Sequence, residues 1–337
     1  MQSTTQQKSK NCPKMNVGGQ AVIEGVMMRS PRAMSIAVRR ANKEINTKLD
    51  KWQSVAEKIT FLRWPFFRGV IVLIESMING IQALSFSAQK AMEDEKTSQS
   101  SAETNSPNEG KLEKAAIGGS ISLAFFVGIL LFVVAPHLIT ELLFRNTNIS
   151  LQNISFHLVD GVIKVVMFVS YIMGISFFKD IRRVFEYHGA EHKSIFTYEA
   201  GEKLTVENAK KYTTLHPRCG TSFIITVLLF SILAFSLVYP FLPEFGSMNI
   251  YLKKGLYIFL KIPLLFPIAG ISYEFIKLSS RFQDTWWIKL FIFPGLLLQK
   301  ITTKEPSDDQ LEVALESLRA VLRKEISLGA QIDPSIL

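Results

Sequence analysis

His188 and His192 stand four residues apart with Glu191 between them, in the run Glu186-Tyr187-His188-Gly189-Ala190-Glu191-His192-Lys193. On a helix such a pair projects from one face, one turn above the other, so both imidazoles reach a single ion. H-x-x-E-H is the reversed form of the H-E-x-x-H zinc-protease pattern, in which the carboxylate is a base toward a metal-polarised water. Further along, His216-Pro217-Arg218-Cys219-Gly220 adds an imidazole and a thiol spaced like a chelating loop. Of five histidines and two cysteines in the chain, three histidines and one cysteine fall in this polar region. The expectation is a divalent metal ion, with zinc the named candidate, on His188 and His192. His216 or Cys219 completes the set, His216 being favoured, and Glu191 serves as general base.

Other carboxylates are weighed against that site. Glu199 lies seven residues beyond His192, about 10 Å along a straight helix and too far to share the ion. Glu274 either becomes the third ligand or pairs with Lys277 or Arg281. Glu24, among Gly19, Gly25 and Val26, either joins the histidines as base or ligand or pairs with Arg29. The bland alternative makes His188, Glu191 and Lys193 a solvated helix face, with His216 capping an apolar segment.

The elements that must position these residues belong to a mixed protein. The 337 residues are 48% apolar with mean hydropathy +0.21, too apolar for an ordinary soluble domain and too charged for a pure membrane bundle. The net charge of +9 does not indicate nucleic acid, because the basic residues flank apolar runs instead of interleaving with aromatic residues. Two cysteines make no disulfide framework. The first residues have no apolar core and are not a secretory signal.

The predicted architecture is a mainly α integral membrane protein: about four transmembrane helices, one interfacial or re-entrant segment, a small N-terminal β module and a cytosolic C-terminal helix. Residues 1–60 form the β module, with a glycine-bearing strand or loop at 17–29 and a hairpin pairing 35–40 with 45–48. Residues 61–90 are apolar but carry Arg68 and Glu75; two charges near a bilayer centre cost about 2.5 to 3.5 kcal/mol each, which favours an interfacial or re-entrant helix. A flexible linker follows at 91–114. Spans are expected at Ala115–Pro136, Leu158–Phe178, Thr221–Leu242 and Gly255–Ile276, each about 20 residues, as a hydrocarbon core of roughly 30 Å requires. Residues 115–178 and 221–276 hold these spans in pairs, around a cytosolic loop at 179–220 that carries the histidines.

Good helix formers continue past Phe178 to Tyr198, so one long helix leaves the second span. His137 and His157, flanking spans on the outer side, are read as interfacial histidines. Residues 277–337 comprise an aromatic interfacial segment broken by Pro294 and Gly295 and a soluble amphipathic helix from Ser307. Basic residues put both termini and the histidine loop in the cytosol, in a multi-pass protein of a bacterial inner membrane.

Three blocks match a known family. Gly18-Gly19-Gln20-Ala21-Val22-Ile23-Glu24-Gly25-Val26-Met27-Met28-Arg29, the HGAEH run, and His216-Pro217-Arg218-Cys219-Gly220-Thr221-Ser222-Phe223 resemble the YqhQ-like bacterial membrane proteins, domain-of-unknown-function family 1385. The resemblance covers nearly the whole chain from Val17, and implies a membrane protein with a metal centre and no stated substrate.

Two functions follow as expectations. One is a metal-dependent hydrolase of peptides, esters or phosphoesters at the membrane surface, partnered by the lipid bilayer. The other is a non-enzymatic scaffold or assembly factor, whose β module and C-terminal helix recruit a cytosolic partner. A transporter ranks last, because no paired broken spans with polar midplane residues are apparent.

Overall fold

The computed structural model describes residues 15–65, 67–98, 109–147, 149, 152–242, 248–279, 282 and 285–337. Cys12 and Arg281 lie outside them. The chain opens on four strands, β1 Gly18–Val22, β2 Gly25–Arg29, β3 Ala33–Arg39 and β4 Ile45–Lys51. They form an antiparallel meander in the order β1-β2-β3-β4. The segment 17–29 is thus two strands with a turn at Ile23-Glu24, and Glu24 takes φ 52° at its tip.

A short helix α1, Val55–Lys58, leads to α2, Phe67–Ser98. By length and composition alone, Phe67–Glu95 is one of five helices among the described residues apolar enough to cross a membrane, against the four expected. Packing explains its two charges differently from a plain span. Near its start Arg68 makes a two-pronged pair with Glu274, and Glu75 accepts from Ser54 Oγ and the Val55 N–H. Its later half lies on the sheet: Ala83 and Phe86 join the cluster of Val22, Met27 and Ile36, and Asp94 holds Arg40. The same helix that meets apolar neighbours at Gly69 is therefore anchored to the β module within four turns. Helix also extends into the expected linker from both sides, to Ser98 and from Glu109, while residues 99–108 lie outside the described residues.

Next come α3 Glu109–Ile129, a π-helical turn Leu130–Val134, α4 Ala135–Phe144 and α5 Ile154–Ile175. The long helix expected through 178 is broken, because Phe178 is extended (ψ 132°) and α6, Lys179–Ala200, starts afresh after it. A left-handed Gly201 caps α6 (φ 73°). The chain continues through α7 Val206–Lys210, α8 Gly220–Val238 and α9 Ile250–Ser279. It ends with α10 Trp286–Thr302 and α11 Asp308–Ser327.

Helix α11 has a capping box between Ser307 and Gln310. Its face of Leu311, Leu315, Leu318 and Leu322 packs with Tyr187, Ala190 and Val26 in one core, so α11 clamps α6 to the sheet.

His137 and His157 are not interfacial: both are 1% exposed, inside the helical bundle. His137 Nδ1 stands 3.3 Å from Lys261 Nζ, which also donates to Asp160 Oδ2 at 2.7 Å, with Lys164 3.5 Å from the same carboxylate. The sequence reading passed over this group because each charge is single in an apolar run, and runs of that kind average the charge away. Inside the bundle, the charges are tolerated because both lysines share the Asp160 carboxylate.

Candidate metal centre

Helix α6 carries the two histidines, and three other segments fix their rings. His188 Nδ1 lies 2.9 Å from the Thr302 carbonyl at the end of α10, and His192 Nδ1 meets the Thr214 carbonyl in the loop before α8. A carbonyl only accepts, so each Nδ1 carries a proton toward it and each Nε2 faces elsewhere. His188 Nε2 points to Cys219 Sγ at 3.1 Å. Among the described residues His192 Nε2 is buried and makes no hydrogen bond of ordinary geometry, though Cys219 is close enough to act on the ring.

One donor atom each from His188, His192 and Cys219 lies within 4.8 Å of the others. Ligands sharing a tetrahedral zinc, with bonds of about 2.0 Å to nitrogen and 2.3 Å to sulfur, are about 3.5 Å apart. The orphaned Nε2, the carbonyl-oriented rings and a mixed nitrogen and sulfur donor set fit a divalent ion of the zinc class, with a fourth position left over. Cys219 sits at the N-cap of α8, where its sulfur accepts from the Thr221 N–H at 3.4 Å and contacts Thr221 Oγ1 at 3.1 Å.

His216, favoured from the sequence, takes a different place. Its Nδ1 accepts the Arg218 N–H at 3.2 Å, which leaves the proton of the neutral ring on Nε2, 3.6 Å from Glu199. A protonated Nε2 is not a ligand atom. Burial holds this ring down to about 4, against a weaker upward pull from Glu191, so it is neutral at ordinary pH. The ring packs on Phe196 and stands 5.5 Å from that of His192, centroid to centroid.

Glu191 is 5% exposed, His192 1% and Lys193 3%, so this helix face is not solvated. Burial pushes the Glu191 carboxyl upward, against the attraction of His188 and His216 and a hydrogen bond from the Gly19 backbone N–H. Gly19 is glycine for a steric reason: a Cβ there would sit 2.7 Å from Glu191 Cγ and 2.8 Å from the Met27 carbonyl. The strand block and the histidine block therefore meet at Gly19 and Glu191.

Glu24 neither joins the histidines nor pairs with Arg29. Its carboxylate takes Arg183, near the start of α6, and accepts from the Tyr187 hydroxyl at 3.3 Å. Glu274 is likewise away from the cluster, on Arg68.

Three contributors escaped the sequence reading: the Thr214 and Thr302 carbonyls, which carry no side-chain signal, and Gln299. Gln299 is fully buried on α10; its Oε1 accepts the His216 N–H at 2.8 Å, and its Nε2 donates to the His216 carbonyl at 2.9 Å and Ser222 Oγ at 2.8 Å. It pins the HPRC loop, and a lone glutamine in the run Phe293-Pro294-Gly295-Leu296-Leu297-Leu298-Gln299 was the available hint. Helix α10, expected at the membrane interface, packs on α8, where Gly295 abuts Ser222.

Residues 64–324 match the family described as "Protein of unknown function (DUF1385)". The chain is 34% identical over 326 residues to "Uncharacterized protein YqhQ" of Bacillus subtilis (strain 168), covering 94% of this chain and 96% of the relative. No solved structure matches it.

Proposed function

Starting from the fact that this chain belongs to the DUF1385 family, we propose that it is a multi-pass membrane protein with a divalent-metal-dependent hydrolytic centre on its cytosolic face. The observation that carries the reading is the convergence of His188 Nε2, the orphaned His192 Nε2 and Cys219 Sγ, beside a buried Glu191. When bound, a divalent ion there supplies Lewis acidity toward a water or a scissile carbonyl or phosphoryl group. Glu191, with its proton affinity raised by burial, accepts a proton from the attacking water and returns it to the leaving group. The Gly19 N–H fixes the carboxylate for that exchange, and Thr302 and Thr214 hold the imidazoles in the ligating tautomer.

Five helices of spanning length and composition support the membrane part. Lys179, Arg182 and Arg183 at the start of α6 orient the centre inward. The packing of β1 and α11 on α6 keeps the β module and the C-terminal helix on the same side. The experiment is hydrolysis of p-nitrophenyl acetate, p-nitrophenyl phosphate and a fluorogenic casein by zinc-supplemented protein in detergent. One of the three should be turned over, with Glu191→Gln slower by about 10²-fold or more and its metal content unchanged. Turnover of none, or an unaffected Glu191→Gln, overturns the hydrolase reading.

A further inference from the structure

A second feature lies beside the centre. A cleft of about 620 Å³ opens between the sheet, α2 and α9, and three of the side chains that line it are cationic: Arg29, Arg218 and Lys277. Its walls add Trp52, Tyr273 and the apolar pair Val72 and Ile276. Two chain adjacencies tie it to the candidate metal centre. Arg218 directly precedes Cys219, and Gly18, also in the lining, directly precedes the Gly19 that holds Glu191.

The three cations are not equivalent. Arg218 is engaged by Glu199. Arg29 is stacked on the Trp52 ring, with its guanidinium carbon 4.5 Å from the centroid, and among the described residues it makes no hydrogen bond or ion pair. Glu75 attracts it through space, but the oxygens of that carboxylate are taken up by Ser54 and Val55. Burial, the largest influence, holds Arg29 below the ordinary arginine value. A planar guanidinium that is stacked, largely desolvated and without a hydrogen-bonded carboxylate presents its N–H donors as a fork, the geometry that binds phosphate oxygens in bidentate fashion.

We propose that this cleft is a binding site for a phosphate monoester or diester anion, with Arg29 as its principal receptor and Arg218 and Lys277 as supporting charges. The apolar walls and the position at the end of the apolar helix α9, whose candidate span runs Tyr251–Ser279, favour a phospholipid headgroup over free phosphate. As a substrate site this rests on the hydrolase reading above; as a binding site it does not.

The test uses full-length protein purified in a neutral detergent and stripped of lipid, titrated calorimetrically with dioctanoyl phosphatidic acid, inorganic phosphate and octanoic acid. Binding of the phosphatidic acid, weakened at least tenfold in Arg29→Gln and by a smaller but clear factor in Arg29→Lys, which keeps the charge but loses the fork, supports the site. Inorganic phosphate binding as tightly as the lipid keeps the phosphate receptor and overturns its assignment to a headgroup. Equal binding by octanoic acid, or by Arg29→Gln, overturns the proposal, as does absence of binding by both phosphate compounds. Trp52→Leu is the second variant: it removes the stacking partner but no charge, and it should weaken binding if Arg29 is the receptor. His188→Ala is titrated alongside. Phosphatidic acid binding is expected to persist there with the metal lost, whereas a wild type that binds phosphatidic acid but hydrolyses no substrate would sink the enzyme reading and leave the receptor standing.

Discussion

The carbonyl of Lys304 lies against the backbone of Gly189, so close that a Cβ on Gly189 would penetrate it. The Lys304 N–H meanwhile donates to the Phe185 carbonyl at 2.9 Å, sealing the 302–305 strap across α6 directly over the histidine pair. Gly189→Ala must therefore push away the segment whose Thr302 carbonyl orients His188. The expected result is a metal affinity reduced by about 10-fold or more, the scale of losing an outer-shell partner, together with a lower melting temperature. Gly174→Ala, where nothing stands within 4 Å of the added methyl, is the control and should leave both unchanged. Unaltered metal binding in Gly189→Ala would show that the strap does not position His188.

The buried ion group at Asp160, Lys164 and Lys261 makes a stability prediction. Asp160→Asn leaves two ammonium groups without their carboxylate, and loss of one partner from a buried pair costs about 3 to 5 kcal/mol. Thermal unfolding in detergent should show a large drop for Asp160→Asn. Removing Asp160 and Lys261 together, as Asp160→Leu with Lys261→Met, should cost less than the two single changes added. Strict additivity would mean that the 2.7 Å contact carries no coupling.

His216 predicts an acid limb. Its folded-state value of about 4 lies below the ordinary 6.5, so the unfolded chain binds the proton more readily. The contribution of this ring is fully present above pH 6.5 and is lost as pH falls through 4, by roughly 3 kcal/mol in all. Glu191, shifted upward, acts with the opposite sign, so the informative quantity is the difference between wild type and His216→Gln. That variant should be less stable at pH 7 and lose less stability between pH 6.5 and 4. Parallel curves would contradict the assignment of a neutral buried ring.

Orientation is tested on surface positions. With Cys12 and Cys219 replaced, single cysteines at Asn42, Arg145 and Lys203, all exposed, are probed in intact cells with an impermeant maleimide. Labelling is expected at Arg145 alone. Labelling at Asn42 but not at Lys203 would contradict the contact of Gly19 with Glu191, since both must lie on one side.

Much of this organisation was legible from residue patterns. The 35–48 hairpin followed from alternation around a turn, and the leucine spacing of α11 announced a buried face. His188 and His192 were found because i, i+4 spacing is local information. What stayed hidden was long-range. Whether His216 or Cys219 turns toward the pair depends on the Gln299 side chain and the Arg218 N–H, 83 and two residues away from His216, and no local pattern encodes that choice. Glu24 found Arg183 across 159 residues rather than its neighbour Arg29, because the extended strand points Arg29 toward Trp52 and the cleft.

The central claim is that His188, His192 and Cys219, and not His216, hold a divalent metal. It is tested most directly by elemental analysis of detergent-purified wild type, His188→Ala, Cys219→Ser and His216→Gln after dialysis against zinc-buffered solution. The account predicts about one equivalent of metal in wild type and His216→Gln, and less than about a tenth in the other two. A wild type without metal, or a Cys219→Ser protein that keeps its metal while His216→Gln loses it, would contradict the account.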